Sequence, residues 1–310
     1  MFIVDTHCDT LLARAEAHNE FTRSASPHVT PQRLRDGGVT LQVCALFSGS
    51  AGPKGQGRQA PRAMADAQLA ALSQLTENGV RKVDSPFDAR EGETCLMLSI
   101  EGGEIIGNSL DELRYFHSLG VRLFALTWNF ENDIGYPHCS GGQHGLKPFG
   151  WEAVREMNRL GIAVDVAHLG EGGFWDLVFH NDKPPMTSHS CCRRLRNHTR
   201  NLTDDQIRAL IDRGGWMGIN FYTNFLTDTG HATLDTVVDH IAHVAELGGV
   251  EHVGFGSDFD GIDSAPEGLE HPGLIPNLLD ALRRRGFGEA EIEGIAGKNF
   301  LRYMRSIITA

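Results

Sequence analysis

The chain has 310 residues, 41% of them hydrophobic and 22% charged, with a formal net charge of −12. That length suits one large domain, and the composition is far from that of disordered chains. An acidic balance without a long Lys/Arg run excludes a surface built to track nucleic acid, and otherwise serves solubility. Met1-Phe2-Ile3-Val4-Asp5 lacks a basic leader and a long apolar segment, and Tyr303 to Ala310 carries no hydrophobic tail of anchor length. A cytoplasmic protein with no membrane partner is therefore expected. Six cysteines lie without framework spacing and two of them, Cys191 and Cys192, are adjacent, which favours reduced thiols.

Short apolar, β-branched runs bounded by turn residues predict a first strand at Phe2–His7 and a second at Thr40–Phe47. The Gly-rich stretch Gly52–Gly57 follows, lacks the G-K-[ST] ending of a phosphate cradle, and reads as a mobile loop. A helical pattern at Arg62–Asn78 leads to a third strand, Cys95–Glu101. Ser109-Leu110-Asp111-Glu112 has the form of a capping box, opening a helix that closes at Gly120 before the fourth strand, Val121–Trp128. The polar, Gly-rich segment Glu131–Gly145 is a candidate lid. A helix at Trp151–Leu160 precedes strands at Ile162–His168 and Pro185–His189. Thr203–Arg213 reads as a helix with Thr203 as N-cap and Gly214 as its stop, before a strand at Trp216–Phe221. A helix at Leu234–Leu247 then leads to the eighth strand, His252–Asp258, with helices at Asn277–Arg285 and Glu289–Ile307 to finish. Strands apolar on both faces, alternating eight times with helices, predict a single (β/α)8, TIM-like barrel domain over residues 1–310.

Metal-binding side chains recur at the carboxyl ends of these strands. His7 and Asp9 follow the first, Glu101 ends the third, His168 the fifth, His189 the sixth and Asp258 the eighth. In a barrel these ends converge on one face, so the residues meet around one pocket. A lone His near an apolar strand is more often a hydrogen-bonded structural residue than a ligand. Five such residues at matching ends alter that balance. His7 and Asp9 are assigned to one metal, His168 and His189 to another, and Glu101 bridges two ions about 3.5 to 4 Å apart. Two Zn2+ per chain are expected, although imidazole and carboxylate also accept Mn, Fe or Co. The expected reaction begins with a hydroxide held between the two metals. Cys8, alternating with its neighbours in His7-Cys8-Asp9, should point away from the ligands. His240, His243 and His252 read as structural.

The segments Asp5-Thr6-His7-Cys8-Asp9, Ile100-Glu101-Gly102-Gly103, Asp165-Val166-Ala167-His168, Ser188-His189-Ser190, Arg200-Asn201, Asn220-Phe221-Tyr222 and Gly256-Ser257-Asp258-Phe259-Asp260-Gly261 resemble, in order and spacing, the membrane (renal) dipeptidase family, peptidase family M19. The likeness covers roughly residues 2 to 305 and suggests a bacterial-type soluble member. It implies a distorted barrel with a binuclear zinc site that hydrolyses dipeptides, and a possible homodimer. It also implies that Arg200 binds the substrate's terminal carboxylate, that Asp258 is the catalytic acid/base, and that Tyr222 lines the pocket. Many family members carry a His after the fourth strand that holds the substrate or its oxyanion, whereas this chain reads Leu126-Thr127-Trp128-Asn129. An indole N–H donates a hydrogen bond but carries no charge, so oxyanion stabilisation is expected to be weaker or to come from Asn129, His138 or His144, while Trp128 and Asn129 are expected to contact substrate. The alternatives are an N-acyl-amino-acid deacylase or other small-amide hydrolase on the same site, and a non-catalytic metal-binding barrel.

Overall fold

In the computed structural model, residues 1–15, 27–47, 60–76, 79–141 and 143–308 are described. Eight strands are parallel: β1 (Ile3–Asp5), β2 (Val39–Phe47), β3 (Cys95–Glu101), β4 (Val121–Ala125), β5 (Ala163–Asp165), β6 (Met186–Ser190), β7 (Trp216–Ile219) and β8 (Val253–Phe255). Each pairs with its successor in the chain, and β8 pairs back to β1, so the sheet closes into a (β/α)8 barrel. All eight match predicted strands. Most end two or three residues earlier than the apolar runs do, because the last residues of those runs have already left the ladder to form the mouth. A two-residue strand, Arg81–Lys82, adds beside the start of β3 and was not predicted, being too short and too polar to form an apolar run.

The helices follow their local signals. Ser109 Oγ accepts from the Glu112 N–H at 3.3 Å and opens the helix Leu110–Ser118. Thr203 and Gln206 form a reciprocal capping box at the start of Asp204–Asp212. The pattern at Arg62–Asn78 divides into Pro61–Ala71 and Ser73–Thr76, with Asn78 outside the described residues, as is Gly52–Gly57. The final pattern divides into Glu289–Glu293 and Asn299–Ile307 around a wide turn at Gly294–Lys298. Among the described residues no helix is long and apolar enough to cross a membrane.

Alternation along β3 sorts its residues between two apolar layers. Leu96, Leu98 and Ile100 join the layer under the helices, while Cys95 and Met97 face the barrel interior with Leu41, Val43, Leu123, Met186 and Trp216. The interior cluster also takes in Phe300, Tyr303, Met304 and Ile307 of the last helix. Tyr303 Oη donates to the Pro184 carbonyl at 3.0 Å, just before β6 begins. The last helix therefore plugs the amino-terminal end of the barrel and leaves the carboxyl-terminal mouth for chemistry.

Two glycines let neighbouring strands pack closely above that layer. A Cβ on Gly218 would lie 2.1 Å from the Ser188 carbonyl oxygen, and one on Gly256 only 1.8 Å from it. Gly256→Ala is expected to lower stability by about 1 to 3 kcal/mol through overpacking. A urea melt checks this, and an unshifted midpoint would show that the backbone there yields freely.

Candidate active site

Short polar stitches set the rim of the mouth. Asp5 Oδ1 accepts from the Ser257 N–H at 2.8 Å and the His7 N–H at 3.3 Å, and its Oδ2 accepts from Ser257 Oγ at 2.5 Å. This ties the exit of β1 to the exit of β8 and directs His7 and Asp258 to the same point. Asp165 Oδ1 does the same for β5 and β6, accepting from the Ala167 and Ser188 N–H groups at 2.9 and 3.0 Å, which brings His168 to His189. His168 and Asp258 leave their strands in the left-handed region, with φ of 65° and 66°. That conformation is rare for a residue with a Cβ and concentrates at functional sites.

The five expected ligands and Asp258 meet within this rim, all buried or nearly so. Glu101 stands between two sets. Its Oε2 lies 3.6 Å from His7 Nε2, which is itself 3.7 Å from Asp9 Oδ2. Its Oε1 lies 2.9 Å from His168 Nε2 and 3.5 Å from His189 Nε2, and those two nitrogens are 3.1 Å apart. The ligand atoms of His7, Asp9 and Glu101, and those of Glu101, His168 and His189, are each close enough together to hold one ion. A third grouping, His7, His189 and Asp258, overlaps both. His189 Nδ1 pairs with Ser188 Oγ at 2.7 Å and His168 Nδ1 with Asn129 Oδ1 at 2.9 Å, so in both rings Nε2 is the atom turned to the centre. His7 Nε2 and Asp9 Oδ1 are buried with no hydrogen-bond partner. Orphaned, inward-facing nitrogen and oxygen donors of this kind fit divalent cations.

The charges agree with that fit. Burial lowers His7, but Glu101, Asp9 and Asp258 outweigh it and push its pKa up to about 10. Burial, with Asp9 and Asp258 adding to it against His7, drives Glu101 well above the usual carboxylate range. Burial and Asp9 raise Asp258 to about 6 against the pull of His7, Asn220 and Arg200. Burial holds His168 and His189 neutral, the form in which imidazole binds metal. The crowded carboxylates that hold a proton on His7 would hold a dication in its place.

A cavity of about 280 Å³ opens over these groups. Arg200 reaches it from the loop after β6 as a buried guanidinium. It donates to the His189 carbonyl at 2.9 Å and to Ser190 Oγ at 3.4 Å, its Nε has no partner, and it forms no ion pair among the described residues. Tyr222 and Asn129 also line the cavity. Trp128 does so too, packed edge-on against Phe47 at 4.9 Å and grouped with Leu12 and Met64. His138 joins them, whereas His144 stacks near Tyr136 at 4.7 Å and is not among the lining residues. The segment Glu131–Gly145 is pinned in its middle, where the His138 N–H donates to the His168 carbonyl at 2.7 Å.

Sequence reasoning missed His198, which lines the cavity and accepts from the Arg200 N–H at 3.1 Å, and Phe225, whose ring lies 5.5 Å from the Arg200 guanidinium. No local signal marks either. The bracing roles of Asp5 and Asp165 were readable in principle, since each lies two or three residues before a candidate ligand at a strand end. Cys8 points outward into the helix-facing layer, 3.6 Å from Cys44 Sγ. His240 accepts from the Cys192 N–H at 3.0 Å and pairs with the Leu226 carbonyl at 2.9 Å. His243 pairs with Asp204 at 2.8 Å and His252 with the Gly215 carbonyl at 2.7 Å, so all three are committed to structure.

A closed (β/α)8 barrel with imidazoles and carboxylates gathered at its carboxyl-terminal mouth defines a metal-dependent hydrolase. The chain belongs to the membrane dipeptidase family, peptidase family M19, whose profile matches residues 1–310, and it is a metal-dependent dipeptidase. It is 34% identical to an uncharacterized dipeptidase of Schizosaccharomyces pombe over 97% of this chain and 79% of that protein. It superposes with a TM-score of 0.87 and 26% identity on a metallopeptidase from Rhodobacter sphaeroides bound to a phosphinate mimic of the dipeptide L-Ala-D-Ala, over 99% of each chain. A metallopeptidase of family M19, dipeptidase AC, matches with a TM-score of 0.88 and 27% identity over 100% of this chain and 99% of that one.

Because Glu101 is a buried carboxylate crowded by others, Glu101→Gln should leave the metal-free protein with an equal or higher melting temperature while abolishing most of the rise that added zinc produces. Calorimetry with and without zinc checks both. A zinc-induced rise undiminished in the variant would remove Glu101 from the metal centre.

Proposed function

We propose that this dipeptidase works with two divalent ions, zinc in the first place, one held by His7 and Asp9, the other by His168 and His189, and both by Glu101. The observation that carries the proposal is the placement of the two Glu101 oxygens toward separate donor sets, 3.6 Å from His7 on one side and 2.9 Å from His168 on the other. When bound, such a pair of ions lowers the pKa of water and polarises a carbonyl. The protein's own residues do the rest. Arg200, buried and without an ion pair among the described residues, grips the carboxylate of the dipeptide and fixes the scissile amide over the carboxylate cluster. Asp258 Oδ2 accepts from Asn220 Nδ2 at 2.9 Å, which holds the carboxyl in place to carry a proton to the departing amine. Trp128 with Asn129 on one side and Tyr222 on the other form the walls. Small dipeptides with a free carboxylate are the substrates favoured, in line with the L-Ala-D-Ala mimic held by the Rhodobacter relative. Residues 1–310 act as one domain, and the family resemblance supports a homodimer.

Elemental analysis of metal-free and zinc-loaded protein, joined to a ninhydrin assay over L,L-, L,D- and N-acyl substrates, tests the whole reading. About two metals per chain with metal-dependent dipeptide cleavage supports it, and two metals with deacylation alone would move the activity to N-acyl amino acids.

Two variants separate the roles. Arg200→Ala should raise KM for dipeptides by about 100-fold or more, as expected for a lost charge-assisted contact worth about 3 kcal/mol. An unchanged KM would remove Arg200 from carboxylate recognition. Asp258→Asn should lower kcat by about 10²-fold or more with metal content unchanged. Full kcat in that variant would end its role as proton carrier.

A further inference from the structure

We propose that His138 is a positioning residue that acts through Asn129 to fix the orientation and tautomer of His168, and thereby the strength of one of the two metal sites. The inference rests on the reading of His168 as a ligand. Asn129 Oδ1 lies 2.9 Å from His168 Nδ1 and 3.0 Å from His138 Nε2, and His138 Nδ1 lies 2.7 Å from Thr199 Oγ1. With Asn129 Oδ1 facing both rings, as it does here, one assignment of neutral rings satisfies every member of this chain. The Thr199 hydroxyl donates to His138 Nδ1, His138 Nε2–H donates to Asn129 Oδ1, and His168 Nδ1–H donates to the second lone pair of the same oxygen. The proton of His168 is then on Nδ1, and Nε2 keeps its lone pair on the side of Glu101. With the amide turned over, an N–H would face His168 Nδ1 and send the His168 proton to Nε2, the atom needed for a metal.

Asn129 alone could turn over. A partner that donates from the other side holds it, and His138 is placed to be that partner. The Thr199 hydroxyl, 2.7 Å from His138 Nδ1, can donate to that nitrogen and so keeps the His138 proton on Nε2, the side of Asn129. The backbone adds a second clasp, since the His138 N–H donates to the His168 carbonyl at 2.7 Å and Pro137 bridges Leu169. Cys139 Sγ donates to the Asn129 carbonyl at 3.4 Å. One short segment, 137–139, therefore holds both the amide and the imidazole that it orients. Hydrogen bonds to the far nitrogen of a ligating His commonly govern metal affinity by about 10- to 100-fold.

The test is calorimetric titration of metal-free full-length protein with Zn2+, repeated with Co2+ to follow the visible spectrum of the bound ion. His138→Ala should weaken one of the two metal equivalents about 10- to 100-fold and leave the other unchanged. His138→Gln, whose amide can still donate to Asn129, should restore most of the loss, and Thr199→Val should give a smaller loss at the same equivalent. His168→Ala is the reference and should abolish that equivalent. If His138→Ala leaves both affinities intact, or weakens both alike, while His168→Ala removes one, the positioning role is overturned and the ligand set stands. If His168→Ala retains both equivalents, the ligand reading itself has failed. Should His138→Ala not fold, His138→Gln and Thr199→Val decide, with full affinity in Thr199→Val and a large loss in His138→Gln counting against the proposal.

Discussion

The site depends on one electrostatic constraint, the crowding of Glu101, Asp9 and Asp258 in a buried space they share with His7. Carboxylates this close and this dry repel one another, which is why burial and mutual charge push Glu101 and Asp258 upward and carry His7 to about 10. A fold built only for stability would not keep such a cluster. The barrel maintains it by spending backbone hydrogen bonds and two buried aspartates, Asp5 and Asp165, on holding the strand exits in register. Left-handed turns at His168 and Asp258 belong to the same arrangement, local cost accepted so that side chains from β5 and β8 meet over Glu101.

The two ends of the barrel divide the work. At the amino-terminal end, Phe300, Tyr303, Met304 and Ile307 pack into the interior beneath Trp216 and Met186, so the lower barrel is filled and rigid. Toward the mouth, Gly218 and Gly256 contribute no side chains, which leaves room for the Ser188 carbonyl and the residues above it. The rim is also divided around the ring. Phe47 ends β2 and Trp128 follows β4, giving an apolar wall, whereas Arg200, His198 and Tyr222 follow β6 and β7 and give a polar, cationic one. A dipeptide with a free carboxylate has the matching polarity.

Much of this was legible in the sequence. Strands buried on both faces appear as continuous apolar runs, and chemistry placed where those runs stop appears as His, Asp and Glu at their ends, so the barrel and the cluster of His7, Asp9, Glu101, His168 and His189 could be read from pattern alone. What could not be read depends on pairs distant in the chain. His138 meets Thr199 across 61 residues, and His138 meets Asn129 only through the fold of the loop between them. The strand Arg81–Lys82 owes its existence to a neighbour rather than to its own residues. Asn129 lines the cavity, and its amide oxygen also lies within hydrogen-bond distance of two imidazoles, a commitment that spacing cannot reveal.

The most direct measurement of the central claim is anomalous diffraction at the zinc edge from crystals of the zinc-loaded protein. The account predicts two peaks on either side of the Glu101 carboxylate, one beside His7 and Asp9 and the other beside His168 and His189. A single peak, or two peaks that do not share Glu101, would contradict it.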